Sequence, residues 1–71
     1  MDYYVTFSGR NVIIHNGRNG GRQNVYSVNH DICDVQVCGE EFYVIGPETT
    51  TTFRRQSGTG FTFYRTGVHH N

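Results

Sequence analysis

The sequence predicts an all-β domain, an antiparallel meander of about seven short strands that folds as a small barrel or a sandwich. The 71 residues contain no Leu, Ala, Lys or Trp, whereas Val, Ile and Thr together contribute 20 residues. Branched side chains of this kind favour strands over helices. Apolar and polar residues alternate along most segments, which is the period of a half-buried strand. Nine Gly and six Asn supply residues for tight turns.

The first hairpin is predicted from residues 3–8 and 11–15, joined by Gly9-Arg10. Gly at the first central position of a two-residue loop favours a type II′ turn, whose twist matches that of the flanking strands. The expected register pairs Ser8 with Asn11, Phe7 with Val12 and Val5 with Ile14. This register places the apolar residues on one face.

A second hairpin of the same kind is predicted thirty residues later, from residues 35–38 and 41–45 around Gly39-Glu40. Its expected register pairs Val37 with Phe42 and Val35 with Val44. The constant offset suggests a duplicated hairpin unit. The alternative is that any two hairpins with two-residue glycine turns align in this way.

Three further strands, and an earlier start for the first strand of the second hairpin, complete the expected single domain of residues 1–71. A strand is predicted over 22–28, with Tyr26 and Val28 on one face, and the strand that enters the second hairpin over 31–38, with Cys33 facing inward. The last two strands are predicted over 49–55 and 61–65. Residues 67–71 are expected to form a disordered tail.

The two cysteines indicate a reducing environment. Cys33 and Cys38 are five positions apart on one predicted strand, so their Cα atoms would lie about 16 Å apart, which is too far for a disulfide. Their side chains would also point to opposite faces, with Cys33 the more buried. The N-terminal residues Met-Asp-Tyr-Tyr carry neither a basic nor an apolar run, so no signal peptide is expected. We therefore expect a cytoplasmic protein that does not span a membrane.

The formal charge is zero, but it is unevenly distributed. Residues 1–29 carry three Arg and one Asp (+2), residues 30–48 carry five acids and no base (−5), and residues 49–71 carry three Arg (+3). Either these charges are scattered over the surface, or the molecule has an acidic and a basic face suited to head-to-tail association.

Self-association is also predicted from the outward positions of the two hairpins. These positions hold apolar side chains where a solvated sheet face would hold polar ones, namely Tyr4, Ile13, Tyr43 and Ile45. Covering them in a homo-oligomer would contribute about 1.5–3 kcal/mol for each side chain.

No motif for catalysis or for metal binding is found. The glycines of residues 17–21 lack the Lys-Ser/Thr that ends a phosphate-binding loop, and Glu40-Glu41 are neighbours in a turn. The His and Cys residues lack the paired spacing of a zinc site. We expect no enzymatic activity, no metal and no cofactor.

Arginine and aromatic residues near the C-terminus suggest an alternative function, the binding of nucleotides or single-stranded nucleic acid. The residues proposed for this anion site are Arg54, Arg55, Arg65 and Tyr64, with Arg18 and Arg22 from the Gly-rich loop. The simpler reading is that the phenylalanines of this region fill the core and that the arginines are ordinary surface residues.

The expected function is that of a small, non-enzymatic interaction protein whose partners are a second copy of itself and an unidentified protein. Tyr, Asn and Gly are abundant, as they are on adaptable binding surfaces. A short chain without catalytic residues fits a viral or mobile-element accessory protein, either an assembly component or an inhibitor of a host factor.

Overall fold

The computed structural model describes residues 3–16, 23–56 and 62–70, and within these ranges every regular element is a strand. The strands are β1 Tyr3–Ser8, β2 Asn11–Asn16, β3 Gln23–Ser27, β4 Asp34–Cys38, β5 Glu41–Ile45, β6 Thr49–Arg55 and β7 Phe63–His70. Strands that are adjacent within a sheet run antiparallel. The predicted all-β meander is confirmed.

The strands form two sheets, one of order β1-β2-β3 and one of order β4-β5-β6-β7. Apolar side chains from both sheets meet in one core, which consists of Tyr3, Val12, Ile14, Val28, Phe42, Val44, Phe53 and Phe63. The ring of Tyr3 in β1 lies 5.0 Å from that of Phe63 in β7, so aromatic contacts join the two sheets. Of the predicted alternatives, the two-sheet sandwich is the one observed.

Both hairpins have the register that alternation predicts, including Phe7 opposite Val12 and Val37 opposite Phe42. Gly9 and Gly39 each have φ of +62°, and no other residue type in the described ranges has positive φ. Positive φ at the first central position alone is the signature of a type II′ turn. Local turn chemistry and the alternating pattern therefore agree.

Replacing Gly9 or Gly39 with Ala is expected to destabilise the fold by about 1–2 kcal/mol, because side chains are disfavoured at positive φ. A Cβ atom would meet nothing within 4 Å at either position, so the cost comes from the backbone alone. Thermal unfolding of the two variants measures it. Equal or higher melting temperatures would contradict the turn assignment.

Two expectations about the chain differ from the structure. Cys33 precedes β4 and is exposed, as is Cys38, and both are free thiols; Ile32 packs against the core instead. The last strand does not end at Arg65. Residues 67–70 pair with Thr49–Thr52 of β6 instead of forming a tail, because the backbone groups along that stretch of β6 need hydrogen-bond partners.

Candidate functional site

Arginines from both flanks form ion pairs with part of the acidic middle of the chain. The ion pairs are Arg10–Asp31 at 3.1 Å, Arg54–Glu41 at 3.3 Å and Arg55–Glu40 at 3.8 Å. Three of the five acids in residues 30–48 thus lie beside a cation. Within the described residues, these three pairs place acidic and basic side chains next to each other.

The four proposed anion-binding residues that the structure describes lie on both faces of the four-stranded sheet. Arg54 and Tyr64 are register partners on the outer face of the four-stranded sheet, and Arg54 is paired with Glu41. Arg55 is held by Glu40, and its side chain is 22% exposed. Arg65 lines a pocket on the inner side of the sheet. Arg18 and Arg22 lie outside the described residues.

The four proposed interface residues lie on two different surfaces. Tyr4 and Ile13 are on the outer face of the three-stranded sheet, whereas Tyr43 and Ile45 are on the outer face of the four-stranded sheet. Because the inner faces of the sheets share the core, the outer faces look away from each other. The four residues form no single patch, and their role in self-association stays a prediction.

The outer face of the three-stranded sheet carries no residue of fixed charge in its described strands. Alternation and register place nine side chains on this surface, which we call the uncharged face: Tyr4, Thr6, Ser8, Asn11, Ile13, His15, Gln23, Val25 and Ser27. Val25 is 60% exposed and Tyr4 is 52% exposed. Val25 is not among the interface residues predicted from the sequence, although its position between inward residues of β3 was a signal for it.

His15 organises one end of the uncharged face. The ring of Tyr4 stacks on it, with centroids 4.5 Å apart. The amide nitrogen of Gln23 lies 3.2 Å from Nδ1 and the hydroxyl of Thr6 lies 2.8 Å from Nε2. Since an amide nitrogen only donates, Nδ1 accepts, and Nε2–H donates to Thr6. These contacts hold the imidazole ring between Tyr4, Thr6 and Gln23.

A pocket of about 220 Å³ lies between the β3–β4 connection and the inner side of the β6–β7 pair. It is lined by Val28, Asn29, His30, Thr49, Thr51, Arg65, Val68 and His70. None of these residues is acidic. Of these residues, only Arg65 was predicted from the sequence as a binding residue, because the others meet only after the chain folds.

A bulge in β7 assembles the strand's contribution to this pocket. Phe53 pairs with Arg65 but Thr52 pairs with Gly67, so Thr66 is an extra residue. Strict alternation would put Arg65 and Val68 on opposite faces of the sheet. The extra residue brings Val68 and His70 to the same side as Arg65, and bulges commonly re-aim side chains in this way.

Comparison of the chain with known protein families, with curated proteins and with solved structures finds no match. In the part of the chain that the structure describes, no helix has the length and apolarity needed to cross a membrane. The same residues contain no group of three metal-ligating side chains.

Proposed function

We propose that this chain is a non-enzymatic interaction protein that docks through its uncharged face, and that the first occupant of this face is a second copy of the chain. The observation that supports the proposal is the combination, on nine outward positions of β1, β2 and β3, of apolar and aromatic side chains with no Asp, Glu, Lys or Arg. The buried centres of protein interfaces are depleted in charge and enriched in aromatic residues in the same manner.

A second copy fits this face because the face is self-complementary. A two-fold interface brings the same patch of both subunits together, so a charge on the patch would often meet its own copy. Ile13 lies between Thr6 and Val25 in the register, at the middle of the three strands. An isologous pairing would therefore bury Ile13 and Val25 without desolvating an ion.

The size of the domain limits the interface. An ordinary interface takes about 800 Å² from each partner, which is nearly a fifth of the 4493 Å² accessible surface of the chain. The dimer would need the whole uncharged face together with its rim. Both cysteines are free, which supports our further proposal of a reducing, cytoplasmic environment.

The test is the mass of the protein in solution, measured by multi-angle light scattering at tens of micromolar. We expect a dimer that persists at high salt, since an uncharged interface contains no ion pairs for salt to screen. Val25→Asp should yield monomers, because each subunit would place a carboxylate in an apolar contact. Val25 is exposed, so the substitution should leave the monomer folded.

The matched control is Tyr64→Asp, which alters a residue of similar exposure on the opposite sheet and should leave the dimer intact. Tyr43→Asp tests the other predicted interface. Dissociation by Tyr43→Asp but not by Val25→Asp would place the contact on the four-stranded sheet and contradict the proposal. A monomeric unmodified protein would contradict it as well.

A further inference from the structure

The pocket beneath the β3–β4 connection is lined by an arginine that has no carboxylate partner among the described residues. Four arginines lie in the described ranges, at positions 10, 54, 55 and 65. The first three are paired with carboxylates. For Arg65, no described carboxylate lies within ion-pair distance. The cation that lines the pocket is thus available to a ligand.

Hydrogen-bond donors reach the pocket from three different segments. Arg65 and His70 come from β7, Thr49 comes from β6, and Asn29 comes from the connection between the sheets. Guanidinium, imidazole, hydroxyl and amide groups all donate to oxygen, and the planar fork of arginine matches two oxygens of a phosphate. Since the donors come from three segments that line one pocket, they suit a group that has several acceptor oxygens.

The wall opposite β7 is fixed by contacts of its own. Nδ1 of His30 lies 2.8 Å from the carbonyl oxygen of Asp31, so Nδ1–H donates to it. Nε2 lies 2.8 Å from the hydroxyl of Thr51, which is 2% exposed. In the neutral ring, Nε2 accepts from that hydroxyl. The backbone N–H of Val28 donates to the backbone carbonyl oxygen of Arg10 at 2.9 Å. Both ring nitrogens of His30 already have hydrogen-bond partners. His30 therefore fixes the position of this wall, and the other donors are the ones that can bind a ligand.

We propose that this pocket binds the phosphoryl group of a small molecule, with Arg65 as its principal contact and His70, Thr49 and Asn29 as further donors. The volume of about 220 Å³ is below the range of about 300–1,000 Å³ that holds drug-sized ligands. No Phe, Tyr or Trp lines the pocket, and the ring of His30 is held by two hydrogen bonds. The small volume therefore suits a phosphoryl group better than a whole nucleotide.

The site exists only because of the bulge at Thr66 in β7. The bulge places Val68 and His70 beside Arg65, while Tyr64 and Arg54 remain on the other side of the sheet. This arrangement separates the pocket from the uncharged face, which belongs to the three-stranded sheet. Phosphoryl binding and dimerisation should consequently be independent.

The experiment is a titration of the ¹⁵N-labelled protein with inorganic phosphate at constant ionic strength, followed by amide chemical shifts. We expect saturable shifts confined to residues 28–31, 49–51 and 65–70. Arg65→Ala should weaken binding by about tenfold to a hundredfold, the effect of losing hydrogen bonds to a charged group. Arg65→Lys should recover only part of the loss, because the fork is absent.

Arg54→Ala is the matched control, since Arg54 is a strand arginine that is paired with Glu41 and lies on the other face. Its affinity for phosphate should equal that of the unmodified protein. Equal weakening by Arg54→Ala and Arg65→Ala would indicate general attraction by charge and overturn the proposal. The absence of saturable shifts would overturn it too.

Two further probes test the assignment of the ligand. Acetate at the same concentration should bind more weakly than phosphate, because it offers two oxygens on one side only. AMP should bind no more tightly than inorganic phosphate. Equal binding of acetate, or much tighter binding of AMP, would overturn the assignment to a phosphoryl group. Unchanged melting of Arg65→Ala, expected for an exposed side chain, verifies that the variant is folded.

Discussion

Phe42→Ala is expected to lower the melting temperature by more than about 12 °C, or to abolish cooperative unfolding altogether. Removal of a buried Phe costs about 3–5 kcal/mol, and 1 kcal/mol corresponds to about 4–8 °C in a domain of this size. Phe42 is 0% exposed. Its ring stacks on Phe53 at 5.0 Å and meets the edge of Phe63 at 5.5 Å, so the cavity would open at the centre of the core.

The effect is large compared with what a small domain can lose. Seventy-one residues at about 0.05–0.15 kcal/mol each give a total stability of about 4–11 kcal/mol. Phe7→Ala is the control, because Phe7 is a Phe on the inner face of its sheet but is 41% exposed at the end of the hairpin. It should cost far less. Equal losses for the two variants would mean that the core is not centred on Phe42.

Gly46→Ala is expected to cost about 3 kcal/mol or more, by combining overpacking with lost hydrogen bonds. A Cβ at Gly46 would contact the carbonyl oxygen of Asp31, lie 2.6 Å from Nδ1 of His30 and lie 3.0 Å from the carbonyl oxygen of Thr49. Two of these atoms are backbone and cannot rotate away. The β3–β4 connection and the turn after β5 would have to separate. Thermal and urea unfolding measure the loss.

Gly67→Ala is the matched control in β7. A Cβ there would meet the His69 side chain at 3.3 Å, which has room to turn, and Ala is preferred to Gly in a strand by about 0.5–1 kcal/mol. The melting temperature of this variant should stay equal or rise slightly. A Gly46→Ala protein as stable as Gly67→Ala would contradict the close approach at Gly46.

The sequence predicts the parts of this fold that depend on near neighbours. Gly9 and Gly39 fix a two-residue turn, and the turn fixes which residues pair, so the apolar face of each hairpin follows from alternation. The ends of β7 could not be predicted in this way. The extra residue at Thr66 interrupts the alternation, and the pairing of residues 67–70 depends on Thr49–Thr52 of another strand.

The candidate surfaces were predicted less well, because they depend on contacts between distant residues. Arginines 54 and 55 appear available in the sequence, and only the folded chain shows them beside Glu41 and Glu40. The uncharged face could not be predicted without the register between β2 and β3. Alternation alone does not fix this register, because no two-residue turn joins the two strands. The pocket combines three segments, residues 28–30, 49–51 and 65–70, that are far apart in sequence.

The order of the strands also leads to an expectation about how the chain folds. Each sheet is contiguous in sequence, and every described strand pair joins consecutive strands. Such pairs close short loops and form early. Side chains connect the two described sheets. The hydroxyl of Tyr3 donates to the carbonyl oxygen of Gly39, and the hydroxyl of Tyr26 accepts from the backbone N–H of Phe63. We therefore expect the docking of the two sheets, which residues 28–33 connect, to be the late step of folding, because the contacts between them are the more distant in sequence.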